Sequence, residues 1–182
     1  MNSEKLAVIM LGAPGSGKGT QGRILEEKTG FKRYVMSDVI RNFVEEGSDI
    51  YNKMKSGILL SDLDIFEVFR KGFNFEDKII IDGIPRSVDQ AYWLYGFLKS
   101  HDYEMRVVYF SVDEEALLNR ILKRAKDEGR EDDNEEVFKE RMRQYDEAKD
   151  VVLDVFSDNI IDINGDRGVE EISEDVLSKL GI

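Results

Sequence analysis

The stretch LAVIMLGAPGSGKGT, residues 6–20, decides the fold. Its first six residues are apolar and rich in branched side chains, the composition of a strand buried on both faces. Glycines then crowd around a single lysine, and residues 18–28 take up a helical pattern. Working outward, short apolar runs recur at 79–81, 107–112 and 160–163. Helical patterns occupy 38–46, 62–71, 88–99, 114–126, 135–155 and 169–180. Strands alternating with helices predict an α/β layered fold with a parallel sheet. Residues 37–69 are too long for a simple connection and predict an inserted subregion of two or three short helices. The segment AKDEGREDDN, residues 125–134, has no apolar periodicity and predicts an exposed loop between two helices.

The chain has 182 residues, enough for one domain with a full core, and no linker-like tract divides it. With no cysteine and one histidine, His101, thiolate metal sites are excluded and no zinc is expected. A net charge of -12 argues against a general nucleic-acid binder, because duplex affinity rests on a basic surface. It leaves room for a small anionic ligand in a cleft where arginines cluster. No run approaches the roughly 18 apolar residues of a membrane span, and the N-terminus shows no cleavage pattern. The expectation is a cytoplasmic protein with no membrane partner.

The spacing from Gly12 to Lys18, between a strand and a helix, is that of a P-loop. Glycines let the backbone amides of Gly15, Ser16, Gly17, Gly19 and Thr20 turn toward a phosphate, the helix N-terminus adds its dipole, and Lys18 reaches the terminal phosphates. The alternative is a glycine-rich turn with an incidental lysine. In IIIDGIPR, residues 79–86, Asp82 ends a buried strand on the sheet edge where ligands bind in open α/β folds. Asp82 and Thr20 are therefore the candidates to hold Mg2+, through water. The alternative for Asp82 is a strand-end carboxylate that caps the next helix.

At this point the chain resembles the adenylate kinase family of P-loop nucleoside monophosphate kinases. The phosphate loop is similar to the family's GxPGSGKGT. Asp82 to Arg86 with Gln90 resembles DGFPR...Q, with Ile84 in place of phenylalanine. DVIR, residues 38–41, resembles GDLLR without its glycine, and GILLSD, residues 57–62, resembles GxLVxD. NRILKR, ending at Arg124, resembles DRIxxR; Arg130 to Asp133 with Arg141 and Tyr145 resembles RxDD...R...Y; GDRGV, residues 165–169, is similar to the loop that touches the ATP base.

The resemblance implies a five-stranded parallel P-loop fold with a nucleoside monophosphate region at about 36–65 and a short lid at about 125–134. It also implies reversible transfer of the γ-phosphoryl group of Mg-ATP to a nucleoside monophosphate, by a protein that is often monomeric. ATP would be held by Gly15 to Thr20, Arg120, Arg124 and Arg167. The monophosphate would lie among Met36, Ser37, Arg41, Ile58, Leu59, Leu60, Gly83, Ile84, Pro85, Arg86 and Gln90. Lys18, Arg86, Arg124, Arg130 and Arg141 would gather around the transferring group. Phosphoryl transfer spreads charge over oxygens and needs cations and positioning more than a base, so a site of arginines without histidine suits it. Taken singly, Arg120, Arg124, Arg141 and Arg143 could also be solvated helix-face residues paired with acids one turn away.

The acceptor region departs from the family pattern. Met36 and Ser37 stand where the family has threonine and glycine; Gln90 favours AMP and Met36 does not. The reading is AMP as acceptor, with a UMP/CMP kinase or a catalytically silent nucleotide-binding protein as rivals. Tyr92, Trp93, Leu94 and Phe97 read as a core helix face, and His101 as a helix-end residue.

Overall fold

The computed structural model describes residues 5–55, 60–128 and 134–182. Five strands, β1 (Lys5–Gly12), β2 (Lys32–Val35), β3 (Lys78–Asp82), β4 (Tyr103–Ser111) and β5 (Ile160–Asn164), form one sheet in the order β2-β3-β1-β4-β5. Every pairing is parallel. Among the described residues eight α-helices accompany them: α1 (Lys18–Thr29), α2 (Met36–Phe43), α3 (Asp49–Lys55), α4 (Asp62–Gly72), α5 (Val88–Ser100), α6 (Glu114–Glu128), α7 (Glu135–Val155) and α8 (Val169–Leu180).

The continuous apolar strands are explained by two cores. In β1, Ala7, Ile9 and Leu11 join Val68, Phe69, Leu94, Leu98 and Phe156 on the face covered by α2, α4, α5 and α7. Val8 and Met10 point the other way, to Leu25, Ile172, Val176 and Leu180 under α1 and α8. Ile79 and Ile81 against Ile80 repeat the alternation in β3. With one residue in two buried on each face, the middle of β1 and β3, residues 6–11 and 79–81, is apolar throughout.

Three differences from the sequence reading stand out. β2, with the sequence KRYV, is an edge strand of four residues, two of them charged, and escapes any search for apolar runs. α6 continues through Glu128, so the first residues of the expected lid loop are helical; residues 129–133 lie outside the described residues. Tyr92 is 59% exposed and does not share the core face of Leu94. Trp93 stacks instead on Phe66 of α4 at 4.4 Å and on Phe97 at 5.1 Å, fastening α4 against α5. The excursion between β2 and β3 resolves into α2, α3 and α4, with α4 opened by a reciprocal cap between Ser61 and Asp64. Among the described residues, no helix is long and apolar enough to cross a membrane.

Candidate active site

From β1 the chain builds β2 and β3 on one side of that strand and then β4 and β5 on the other, so a crevice opens at the carboxyl ends of the central strands. The loop after β1 fills it. Gly12 has φ +146°, and a Cβ there would lie 2.8 Å from the carbonyl oxygen of Phe110. Gly15, with φ +84°, would place one 2.9 Å from the carbonyl oxygen of Leu117. Both contacts are too close for a side chain, so only glycine allows the backbone to curl this tightly.

Lys18 folds back over the loop. Its Nζ donates to the carbonyl oxygens of Gly12 at 2.6 Å and Ala13 at 2.8 Å and to Ser16 Oγ at 3.3 Å. The ammonium is pushed down to about 8, by burial first, with Asp82 opposing and Arg86 and Arg124 adding to the fall. Arg86 is lowered by desolvation in the cleft and by the charge of Arg141, with Asp82 opposing. Lys18, Arg86, Arg124 and Arg141 thus come from four segments into electrostatic reach around one loop, in a protein whose net charge is -12. A cluster of cations that repel one another fits a polyanion.

Asp82 pairs with Met10 in the sheet and comes within 3.8 Å of where a Cβ on Gly19 would sit, beside the first turn of α1. Thr20 is exposed on that turn. Desolvation raises the Asp82 carboxyl while Lys18, Arg33 and Arg86 pull it down. Among the described residues no group of three or more His, Cys, Asp or Glu could hold a metal by itself. One carboxylate beside a phosphate cradle suits Mg2+, which keeps several waters and takes other ligands from substrate phosphates.

On one flank, Arg120 Nη2 donates to the carbonyl of Gly165 at 2.8 Å, and a Cβ on Gly165 would lie 3.4 Å from the carbonyl of Ser16. The loop after β5 therefore abuts the phosphate loop. Arg167 of that loop pairs with Asp175 at 2.6 Å and Glu171 at 3.3 Å. On the other flank, the buried Met36 opens α2, and a Cβ on Gly83 would lie 3.3 Å from Met36 Cβ and 3.5 Å from Arg86 Nη2. Arg86 Nε donates to the Gly83 carbonyl at 2.8 Å. Gln90 in the first turn of α5 accepts the Arg86 N–H. Ile84 and Pro85 are buried in the intervening loop, and Leu60 is half-buried against the same core. Ser37 follows Met36, and its carbonyl accepts from Arg41 Nε at 3.2 Å; Arg41 also pairs with Asp38 at 2.8 Å, both side chains exposed. Arg130, Ile58 and Leu59 lie outside the described residues. Arg143 pairs on the surface with Glu140 and Glu147, and His101 caps α5.

Two residues of the site have no role in the sequence reading. Arg33 of β2 pairs with Asp82 at 3.3 Å, and Asp62 of α4 accepts from Gln90 Nε2 at 2.7 Å. For Asp62 the only signal was its place at the end of GILLSD; for Arg33 there was none.

The fold and cradle define a P-loop α/β enzyme built to handle phosphate. A family model described as adenylate kinase matches residues 10–161. The chain is 38% identical over 152 residues to an adenylate kinase of Thermus thermophilus, covering 81% of each chain. It is 34% identical to that of Leptospira biflexa Patoc 1 (Ames), with 95% of this chain and 98% of the relative aligned. With that of Rhodococcus erythropolis PR4 it shares 32% identity, over 97% and 99%. The chain belongs to the adenylate kinase family, phosphotransferases that act on nucleoside monophosphates.

Proposed function

We propose that this enzyme transfers the γ-phosphoryl group of Mg-ATP reversibly to AMP, giving two ADP. The observation that supports it best is the convergence of Lys18, Arg86, Arg124 and Arg141 on the phosphate loop. Triphosphate binding alone needs the loop and Lys18; the additional arginines suit a second phosphate brought up to the first. In the reaction an oxygen of the AMP phosphate forms a bond to the γ-phosphorus as the bond from that phosphorus to the β,γ-bridging oxygen breaks. The attacking oxygen is already an anion, so no general base is required. Arginine forks and Lys18 offset charge on the moving group, and Arg41 joins Arg86 on the acceptor phosphate after leaving Asp38. Arg130, by its place in the family motif, would complete the set, and exclusion of water would keep it from taking the phosphoryl group. Asp82 and Thr20 would hold magnesium through water, and the metal would supply further neutralisation of the phosphates. Arg120 and the loop of Arg167 flank the ATP base, and residues 36–65 with Gln90 receive the monophosphate.

AMP is favoured because a carboxamide at Gln90 can pair with an adenine edge. Met36 supports a second reading, a pyrimidine monophosphate as acceptor, since its buried thioether supplies no hydroxyl to a purine. A coupled assay with Mg-ATP and each of AMP, CMP, UMP, GMP and dTMP tests both. ADP formation fastest with AMP is expected; equal or faster turnover with UMP or CMP overturns the acceptor, and no turnover above ATP hydrolysis overturns the kinase reading.

A further inference from the structure

The hydrogen bonds around Gln90 fix which end of its carboxamide is which. The N–H of Arg86 can only donate, and it lies 2.8 Å from one end, which is therefore Oε1. The other end lies 2.7 Å from Oδ1 of Asp62; a carboxylate accepts, so that end is the amino group. Flipping the carboxamide would set donor against donor and oxygen against carboxylate. Asp62 is held in turn: its Oδ2 accepts from Ser87 Oγ at 2.8 Å, and Ser87 Oγ accepts the N–H of Gln90 at 3.1 Å. Gln90 is 8% exposed, so water does not easily replace these partners. The stacking of Phe66 on Trp93 holds α4 and α5 together in the arrangement that brings Asp62 to Gln90.

A glutamine carboxamide offers two acceptor and two donor positions. With one of each committed, Gln90 presents one acceptor and one donor in a single fixed order. A 6-aminopurine shows a donor beside an acceptor at N6 and N1, whereas a 6-oxopurine shows an acceptor beside a donor at O6 and N1. A carboxamide free to flip would serve both; one held in place serves one and leaves both polar contacts mismatched with the other.

We propose that Asp62 is the positioning residue for acceptor specificity, holding Gln90 in one flip state so that the site takes AMP and rejects IMP. This rests on the reading above that Gln90 faces the acceptor base. Asp62→Asn keeps the side chain's size but can turn an amino group toward Gln90, which removes one of the two mismatches that oppose the flip and leaves only the one at the Arg86 N–H. The ratio of kcat/KM for AMP to that for IMP should then fall by at least about tenfold, through gain of IMP use and a raised KM for AMP, with kcat for AMP changing by less than about threefold. The ratio is read on one preparation, so a smaller folded fraction leaves it unmoved. If Asp62→Asn is insoluble, Asp62→Ser, whose hydroxyl can donate or accept where the carboxylate only accepts, must move the ratio the same way. An unsubstituted enzyme that prefers AMP, with a ratio unchanged in the variant, overturns the inference alone. An unsubstituted enzyme that uses neither purine overturns the acceptor reading and the inference with it.

Discussion

Arg33 Nη1 lies 3.3 Å from Asp82 Oδ2, an ion pair between the neighbouring strands β2 and β3 with side chains only 17% and 10% exposed. Arg33 also holds Glu26 of α1 at 3.0 Å, so it joins the edge strand, the helix after the phosphate loop and the carboxylate beside that loop. Burial alone would push Asp82 toward its neutral form, and Arg33 is one of three cations that oppose this.

Arg33→Met therefore leaves a buried carboxylate with one cation fewer and should cost about 1–3 kcal/mol of stability. Asp82→Asn in the same background should recover part of that loss, because the uncompensated charge goes with it. Urea unfolding at neutral pH of the two single variants and the double variant measures the coupling. Strictly additive losses would show that the pair does not act as a unit.

Lys18 gives the site a pH dependence. In the free enzyme it is pushed down to about 8, and the negative charge of a bound triphosphate favours the ammonium and raises it again. Between the two values the free enzyme has lost the proton and the complex keeps it. Binding then takes up a proton, and affinity falls as pH rises through about 8. Calorimetry with ATP in EDTA, at about pH 8.5 in two buffers of different ionisation enthalpy, should show that uptake. Lys18→Met should abolish it and lower kcat by about a hundredfold or more while the fold survives. An affinity flat across this range would contradict the account.

Arg86 sits next to Gly83 and Met36, with Arg141 close enough to lower it. Arg86→Ala should raise the KM for the monophosphate by about tenfold or more and lower kcat, with ATP binding in the absence of acceptor changed far less. Arg86→Lys should restore only part, since an ammonium cannot present the paired donors of a guanidinium. Steady-state kinetics with each substrate varied, alongside ATP titration, separates the two effects. An unchanged KM and kcat for the monophosphate would remove Arg86 from the acceptor site.

The sheet was legible in the sequence where it is buried on both faces, because residues such as Ile79, Ile80 and Ile81 leave no other reading. β2 was not, because Lys32 and Arg33 occupy an edge strand whose assignment comes from its pairing with β3, not from composition. The phosphate loop was legible because its backbone geometry admits few residues other than glycine. The partners of its surroundings were not. Nothing local says that Asp62, the first residue of α4, will meet Gln90 in α5, 28 residues away in the chain. Tyr92 follows the helical spacing of an apolar face yet lies on the solvent side, since it is Trp93 and Phe97 that α4 covers.

The glycines separate geometry from composition. Gly12→Ala forces a φ of +146° on an alanine and drives its Cβ to 2.8 Å from both the Phe110 carbonyl and Ser16 Oγ. The strand must shift or the loop must open, at about 1–3 kcal/mol. The Gly12 carbonyl is also the nearest partner of Lys18, so loop opening misplaces the ammonium. ATP affinity should fall along with stability. Gly96, exposed on α5, is the opposite case: a Cβ there meets nothing within 4 Å, and alanine removes conformational freedom from the unfolded chain. Gly96→Ala should raise stability by about 0.5–1 kcal/mol with kcat and both KM values unchanged. Thermal unfolding and ATP titration of the two variants side by side test the contrast. A Gly12→Ala enzyme with wild-type affinity and melting temperature would mean that the loop is looser than its contacts with Phe110 and Ser16 imply.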